Sequence, residues 1–448
     1  MSQSVHPAIC YVNALESLRK LVSRLGDTNR SEWLISSARA QQDQAVFWLP
    51  RNKLLVAEYP IEGMSLIREL TGLNGEVAVV SRYNNSSFAE AVIRDSSVIE
   101  HIRRYIGNAK SIEMFAHTNT ESFFRFADHL ASVLSIDVLF PEASRGLDLR
   151  DQIDRKSGLR ELFREICGVD GVCRIPQGVE VEDVEEAALS VLNLTNQGRQ
   201  AIVKADIGEA SIGLEIFDCH TSFEVIVEKI SASPYYGSDP IVVEELITGD
   251  NIRFPSIELH VPGNGSTPEL LHICDMLFEG RTNLKGNVTS KDLYKSKWSL
   301  PFVDAALKIA SDIQSKGYIG HFGIDAVTDR HNNIYLLDLN SRRTGSSHVH
   351  DFGVSFWGRN YIDKICIGNY DFSGLPSSFT SNALFDLLSG LTADPRKSAC
   401  GVVPAELSGL EFGHFGSLIF APDRAKFNNL VAAVKERLRI FADNSLVE

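Results

Sequence analysis

Residues 323–340 read GIDAVTDRHNNIYLLDLN, two apolar runs joined by a polar one. Gly323–Val327 and Ile334–Leu339 are expected as strands, and 329–333 as the turn of a β-hairpin. The run Ile334-Tyr335-Leu336-Leu337 shows no polar alternation, which predicts a strand buried on both faces. With the turn centred between His331 and Asn332, Asp325 stands opposite Asp338. Asn340 then projects on the same face as Asp338, because side chains alternate along a strand. Directly opposed residues hold their Cβ atoms about 4.5–5.5 Å apart, where like charges destabilise the pair. A cation resolves that conflict. Two carboxylates and an amide oxygen are hard ligands of the kind Mg²⁺ takes, with phosphate oxygens completing its shell. The alternative is a solvated hairpin end, since a one-residue slip turns the carboxylates to different faces.

Upstream, residues 202–213 read IVKADIGEASIG. Lys204 ends an apolar strand, and the small residues of the Gly208–Gly213 turn, Ser211 among them, let backbone N–H groups approach phosphate oxygens. The stretch is not a P-loop, because G-x-x-x-x-G-K-[ST] is absent. Lys156 opens the helical segment KSGLRELFREI, where the helix dipole already favours anions. In VVEELITG, residues 242–249, Glu244 and Glu245 end a buried strand whose free backbone groups match the edge of a purine. Taken singly, each has a plainer explanation: a hairpin turn, a surface charge, an ordinary strand end.

The whole chain has 448 residues, 44% of them hydrophobic. At roughly 100–200 residues per domain, two or three domains are expected. From about residue 46 strands and helices alternate, with AVFWLP and KLLVAEYP flanking the turn RN and a helix over 86–107 capped by Ser87 and stopped by Gly107. This alternation implies a mostly parallel α/β domain over residues 1–140. A mixed α+β unit is expected over 141–375 and a small C-terminal subdomain over 376–448.

The net charge of -14, without a Lys/Arg-rich run, argues against nucleic-acid and anionic-membrane partners. Seven scattered cysteines without a C-x-x-C pair suit reduced thiols, and hence a cytoplasmic location. The first residues lack a basic region followed by an apolar core, so no secretory leader is expected, and no apolar run reaches the ~18 residues of a membrane helix.

Taken in order, the lysine, the strand–Lys–Gly-rich turn, VEELITG and Asp…Asp-x-Asn-x-Arg resemble the ATP-grasp superfamily over about residues 150–370. The resemblance implies two subdomains gripping ATP, with a Rossmann-like pre-ATP-grasp domain ahead of them and a small C-terminal cap behind. It implies ATP and Mg²⁺ as cofactors, with Mn²⁺ as a substitute metal. By motif, Lys156 and Lys204 would contact the ATP phosphates and Ser211 would close over them. Glu244 and the backbone of Leu246 would read the adenine, and Asp325, Asp338 and Asn340 would hold the metal. Arg342 would meet the γ-phosphate or an acyl phosphate, with Lys204 across the cleft, and Arg343 and His348 would face the substrate. Two positions depart from the family pattern: Asp338 stands where a glutamate is usual, and Asn251 where many members have a ribose-binding glutamate.

The N-terminal region, RRTGSSH and the C-terminal region also resemble a narrower group of pheganomycin-type peptide ligases and amino acid–carrier protein ligases. The activity implied is an ADP-forming ligase that joins an amino acid carboxylate to an amine. Its alternatives are loading of a carrier-protein thiol and ATP binding without turnover. Amino acids, and in the alternative a carrier protein, are the implied partners, and a homo-oligomer is compatible with the family. His348 and His350 form H-x-H, but no companion cluster precedes them at zinc-ligand spacing.

Overall fold

In a computed structural model, residues 6–25, 29–73, 75–80, 87–166, 173–208, 213–236, 239–280 and 282–445 are described. The strands in chain order are β1 (Ala8–Val12), β2 (Leu54–Ala57), β3 (Glu76–Val79), β4 (Ser111–Ala116), β5 (Asp137–Leu139), β6 (Cys173–Arg174), β7 (Gly178–Val181), β8 (Ala201–Ala205) and β9 (Leu214–Phe217). They continue as β10 (Ile241–Glu245), β11 (Pro255–Val261), β12 (Glu269–Glu279), β13 (Asn283–Thr289), β14 (Gly320–Thr328), β15 (Ile334–Asn340), β16 (Cys366–Ser373), β17 (Gly401–Glu406) and β18 (His414–Ala421).

The first lobe is a parallel sheet in the order β3-β2-β1-β4-β5. Its central strand, AICYV, is apolar throughout because both its faces are covered. Ile9 and Tyr11 pack under the helices Phe88–Arg94, Ser96–Ile106 and Glu121–Leu134, while Ala8, Cys10 and Val12 share a core with Ile367, Val402, Leu418 and Phe427 near the other end of the chain. The expected helix over 86–107 is two helices. Ser87 caps the first as anticipated, but Asp95 ends it and accepts N–H bonds from Ser97 and Val98 to start the second. AVFWLP is not a strand: a short 3₁₀ turn, Asp43–Val46, delivers Phe47 and Trp48 into the core.

The second lobe, a four-stranded sheet in the order β7-β10-β8-β9 with helices Val184–Asn196 and Phe223–Ala232, stands over the third. The third is a nine-stranded sheet, β17-β18-β16-β13-β12-β11-β14-β15-β6, antiparallel except for β15 with β6. Strands β17 and β18 lie beyond residue 376, so the C-terminal region continues this sheet and is closed by the helix Arg424–Ser445. Cys10, Cys173, Cys219, Cys274, Cys366 and Cys400 are free thiols. Among the described residues no helix is long and apolar enough to cross a membrane.

Candidate functional site

The hairpin β14–β15 forms the floor of the site. Asp325 pairs with Asp338 and Gly323 with Asn340, the register derived from a turn centred at 331.5. Towards the turn the register shifts by one, Ala326 facing Leu336, so Leu337 is an extra residue in β15. This bulge corrects the expectation of a strand buried on both faces. Ile334 and Leu336 face the core, and without the extra residue strict alternation would bury Asp338 beside them and expel Leu339. With it, Leu339 returns to the core while Asp338 and Asn340 turn to the opposite face, half-buried.

Asp325 accepts the Asn340 amide N–H at 3.1 Å. Burial, and then the Asp338 charge, push its carboxyl above the ordinary range, as expected of two acids facing each other. Lys156 Nζ lies 2.6 Å from Asp338 Oδ2 and donates to the Gly208 carbonyl at 3.3 Å. Asp338 Oδ1 is buried without a partner among the described residues. A divalent cation fits this donor set: an orphaned, buried carboxylate oxygen beside a second carboxylate and an amide.

Lys204 reaches the same place from above. In β8, Ala201, Val203 and Ala205 fill the second lobe's core, so Lys204 points the other way. Its Nζ lies 3.4 Å from the carbonyl of Leu337, the bulged residue, and 2.5 Å from Glu244 Oε2 on the neighbouring strand. Glu244 in turn receives Arg160 Nη1 at 2.7 Å. Arg160 also donates to the carbonyls of Pro176 and Gly178, so one guanidinium ties the helix Lys156–Ile166 to the second lobe and to the acid that holds Lys204. Sequence reasoning misses Arg160. Its charge within an apolar helix repeat, at a position buried to 3% exposure, is the available signal.

Arg342 Nη1 meets Asp154 at 3.2 Å, and Asp154 also accepts the Ser341 N–H and hydroxyl. Although burial opposes it, Arg342 and the Ser341 N–H hold the Asp154 carboxyl below its usual range. Lys156, Lys204, Asp325, Asp338 and Asn340 are therefore brought together, with Arg342 close by on the strand's exit. Ser211 lies outside the described residues. Leu246 follows the end of β10, and its N–H donates to the Gln200 carbonyl at 2.8 Å. Glu244 is turned inward onto Lys204 and Arg160, and Asn251 is exposed, at positive φ.

Arg343 and His348 do not join the group. Arg343 is 2% exposed, paired with Glu142 at 2.6 Å and Asp351 at 3.2 Å, and lies over the Trp48 ring. The expected substrate role at Arg343 meets a guanidinium already engaged in welding the first lobe to the third. His348 is fully buried in the helix Ser347–Trp357, 3.9 Å from Glu406, and burial drives its pKa down to about 3, so it is a neutral core residue.

Behind the site His321 bonds Glu258 at 2.6 Å and faces Glu142 at 3.6 Å. Burial and Arg343 press its pKa down, but these two carboxylates raise it to about 9. Because the folded value exceeds the ordinary 6.5, this contribution to stability is full below about pH 6.5 and fades as pH rises through 9. Between those limits the wild type should lose a few kcal/mol that His321→Gln does not lose, at about 1.4 kcal/mol for each tenfold difference in proton affinity between the folded and unfolded chain. Urea titrations of both proteins at pH 6.5 and 9.5 measure the difference; parallel losses would refute it.

The ATP-grasp domain family model matches residues 173–346, from β6 to the start of the helix after β15. A search of curated proteins found no match. Among solved structures, a biotin carboxylase in complex with β,γ-ATP from Campylobacter jejuni aligns with a TM-score of 0.54 at 13% identity, covering 94% of this chain and 88% of that one. An N5-carboxyaminoimidazole ribonucleotide synthetase in complex with ADP aligns at 0.55 and 9% identity, covering 99% and 100%. An N5-carboxyaminoimidazole synthetase from Staphylococcus aureus aligns at 0.52 and 11%, covering 96% and 97%. The expected ATP-grasp fold, with an N-terminal α/β domain ahead of it and a small C-terminal region behind, is thus borne out.

Proposed function

We propose that this chain, which carries an ATP-grasp domain, is an ADP-forming ligase that activates an amino acid carboxylate as an acyl phosphate and joins it to an amine. One observation carries the reading. Lys156 and Lys204, from separate elements of the chain, converge on the adjacent residues Asp338 and Leu337 opposite a second carboxylate. That is an arrangement of positive charge and hard oxygen ligands where two lobes meet, suited to a polyphosphate and its cation. Solved structures of similar fold include complexes with β,γ-ATP and with ADP, one of them with ADP as its magnesium salt, which supports the same cofactors here.

When bound, the cation offsets the negative charge of the transferring phosphoryl group. The chain's own residues do the rest. Lys156 and Lys204 hold phosphate oxygens from two sides of the cleft and align the γ-phosphoryl group with the substrate carboxylate. Arg342, two residues past Asn340, is placed for the charge that collects on the acyl phosphate. The amine then attacks the carbonyl carbon and phosphate leaves. The second lobe, standing over the hairpin, keeps water from the activated carbonyl. Incubation with Mg-ATP and single amino acids, with amines or a carrier protein as acceptors and products read by mass, tests this. A product with a new amide bond and ADP is expected. A thioester on the carrier protein would replace the amine acceptor, and ATP binding without turnover across the panel would count against an enzyme.

A further inference from the structure

Each basic residue assigned to the nucleotide is held by a carboxylate of the chain itself: Lys156 by Asp338, Lys204 by Glu244 and Arg342 by Asp154. The three pairs differ in what remains when the cation turns away. Glu244 keeps Arg160 at 2.7 Å. Asp154 keeps the Ser341 N–H at 2.9 Å and its hydroxyl at 3.1 Å. Among the described residues Asp338 keeps nothing of the kind: Oδ2 is held by Lys156, Oδ1 is buried and unpartnered, and the residue across the hairpin is the acid Asp325. The Asn340 amide, which would serve as a donor, is turned onto Asp325. Removing Lys156 therefore strands a half-buried negative charge beside another, a costly state unless a second cation arrives.

Resting on the nucleotide site proposed above, we propose that Lys156 and the divalent cation are alternating occupants of Asp338. Without nucleotide, the ammonium neutralises Asp338 and excludes the metal. A triphosphate draws Lys156 away, and the metal takes the vacated carboxylate, so metal and nucleotide bind as a coupled pair. The same residue is thereby an internal counter-ion in one state and a phosphate ligand in the other. Among the described residues no group of three or more His, Cys, Asp or Glu side chains is arranged to hold a metal. Among the described residues the hairpin thus offers the cation two carboxylates, one of them blocked by Lys156, and the Asn340 amide.

Mn²⁺ alone is the probe, titrated into nucleotide-free protein and followed by the electron paramagnetic resonance of the free ion. Lys156→Met should bind Mn²⁺ at least about tenfold more tightly than wild type, a difference of about 1.4 kcal/mol. The gain should vanish in Lys156→Met/Asp338→Asn, which assigns it to this carboxylate, with circular dichroism confirming that all three proteins fold. Equal Mn²⁺ affinity in wild type and Lys156→Met, no measurable binding to Lys156→Met, or a gain that survives Asp338→Asn overturns the exchange. Failure of the nucleotide site itself reads differently. A non-hydrolysable ATP analogue would then give no heat with wild type in calorimetry at any Mg²⁺ concentration, a result on which the metal-only titration does not depend.

Discussion

Asp338→Asn should cut ADP formation by about a thousandfold or more while leaving the protein folded. The substitution keeps the shape of the side chain and removes its charge, so the half-buried position loses no packing. What it loses is the charge of the carboxylate, opposite Asp325 and beside Lys156, that we propose holds the cation. Metal stabilisation of a transferring phosphoryl group is worth several kcal/mol, and each 1.36 kcal/mol is about tenfold in rate. Stability should change little, because relief of the repulsion with Asp325 offsets the lost pair with Lys156. Turnover at the wild-type rate by a folded Asp338→Asn protein would remove Asp338 from the site. Collapse of the fold with no activity would show a structural role instead, and thermal unfolding separates the two.

Arg343→Met should have the opposite profile, a large loss of stability. The side chain is 2% exposed and pairs with Glu142 and Asp351 while covering Trp48, and its backbone N–H donates to the His117 carbonyl. Burial raises the Glu142 carboxyl's tendency to protonate, yet Arg343 and His321 hold it well below the usual range, so the acid depends on this partner. Removing one member of a buried ion-pair network leaves the others uncompensated, at about 3–5 kcal/mol. The midpoint of thermal unfolding should fall by roughly 3–5 °C for a chain of this size. Conversely, an Arg343→Met protein as stable as wild type but impaired in the KM for its carboxylate substrate would return Arg343 to the substrate role that its sequence position suggests.

The contrast between these neighbours shows where the sequence is legible. The pairing of Asp325 with Asp338 follows from counting residues around a turn, because strand geometry leaves little freedom once the turn is placed. The bulge at Leu337 does not, since an extra leucine in an apolar run changes neither composition nor charge. Arg342 and Arg343 look alike in the sequence, and only the packing of the first lobe against the third, through Trp48, Phe115 and Glu142, decides that the second is internal. Arg160 is hidden for a similar reason: its partners are two backbone carbonyls and the carboxylates of Glu180 and Glu244, none of them near it in the chain. The short strand AICYV gives no signal because five apolar residues next to the chain's start carry no periodicity, although it is the central strand of its sheet. Chemistry confined to a hairpin is readable, whereas contacts made between lobes are not.

Two lysines and two aspartates are, on this reading, the groups that transfer the γ-phosphoryl group to a carboxylate. Incubating the protein with Mg-ATP and pooled amino acids, then separating the nucleotides, decides whether they do. ADP and inorganic phosphate are the predicted products, formed only when amino acids are present and lost in Asp338→Asn. AMP and pyrophosphate, with no ADP, would mean that the α-phosphoryl group is attacked, and would contradict the assignment.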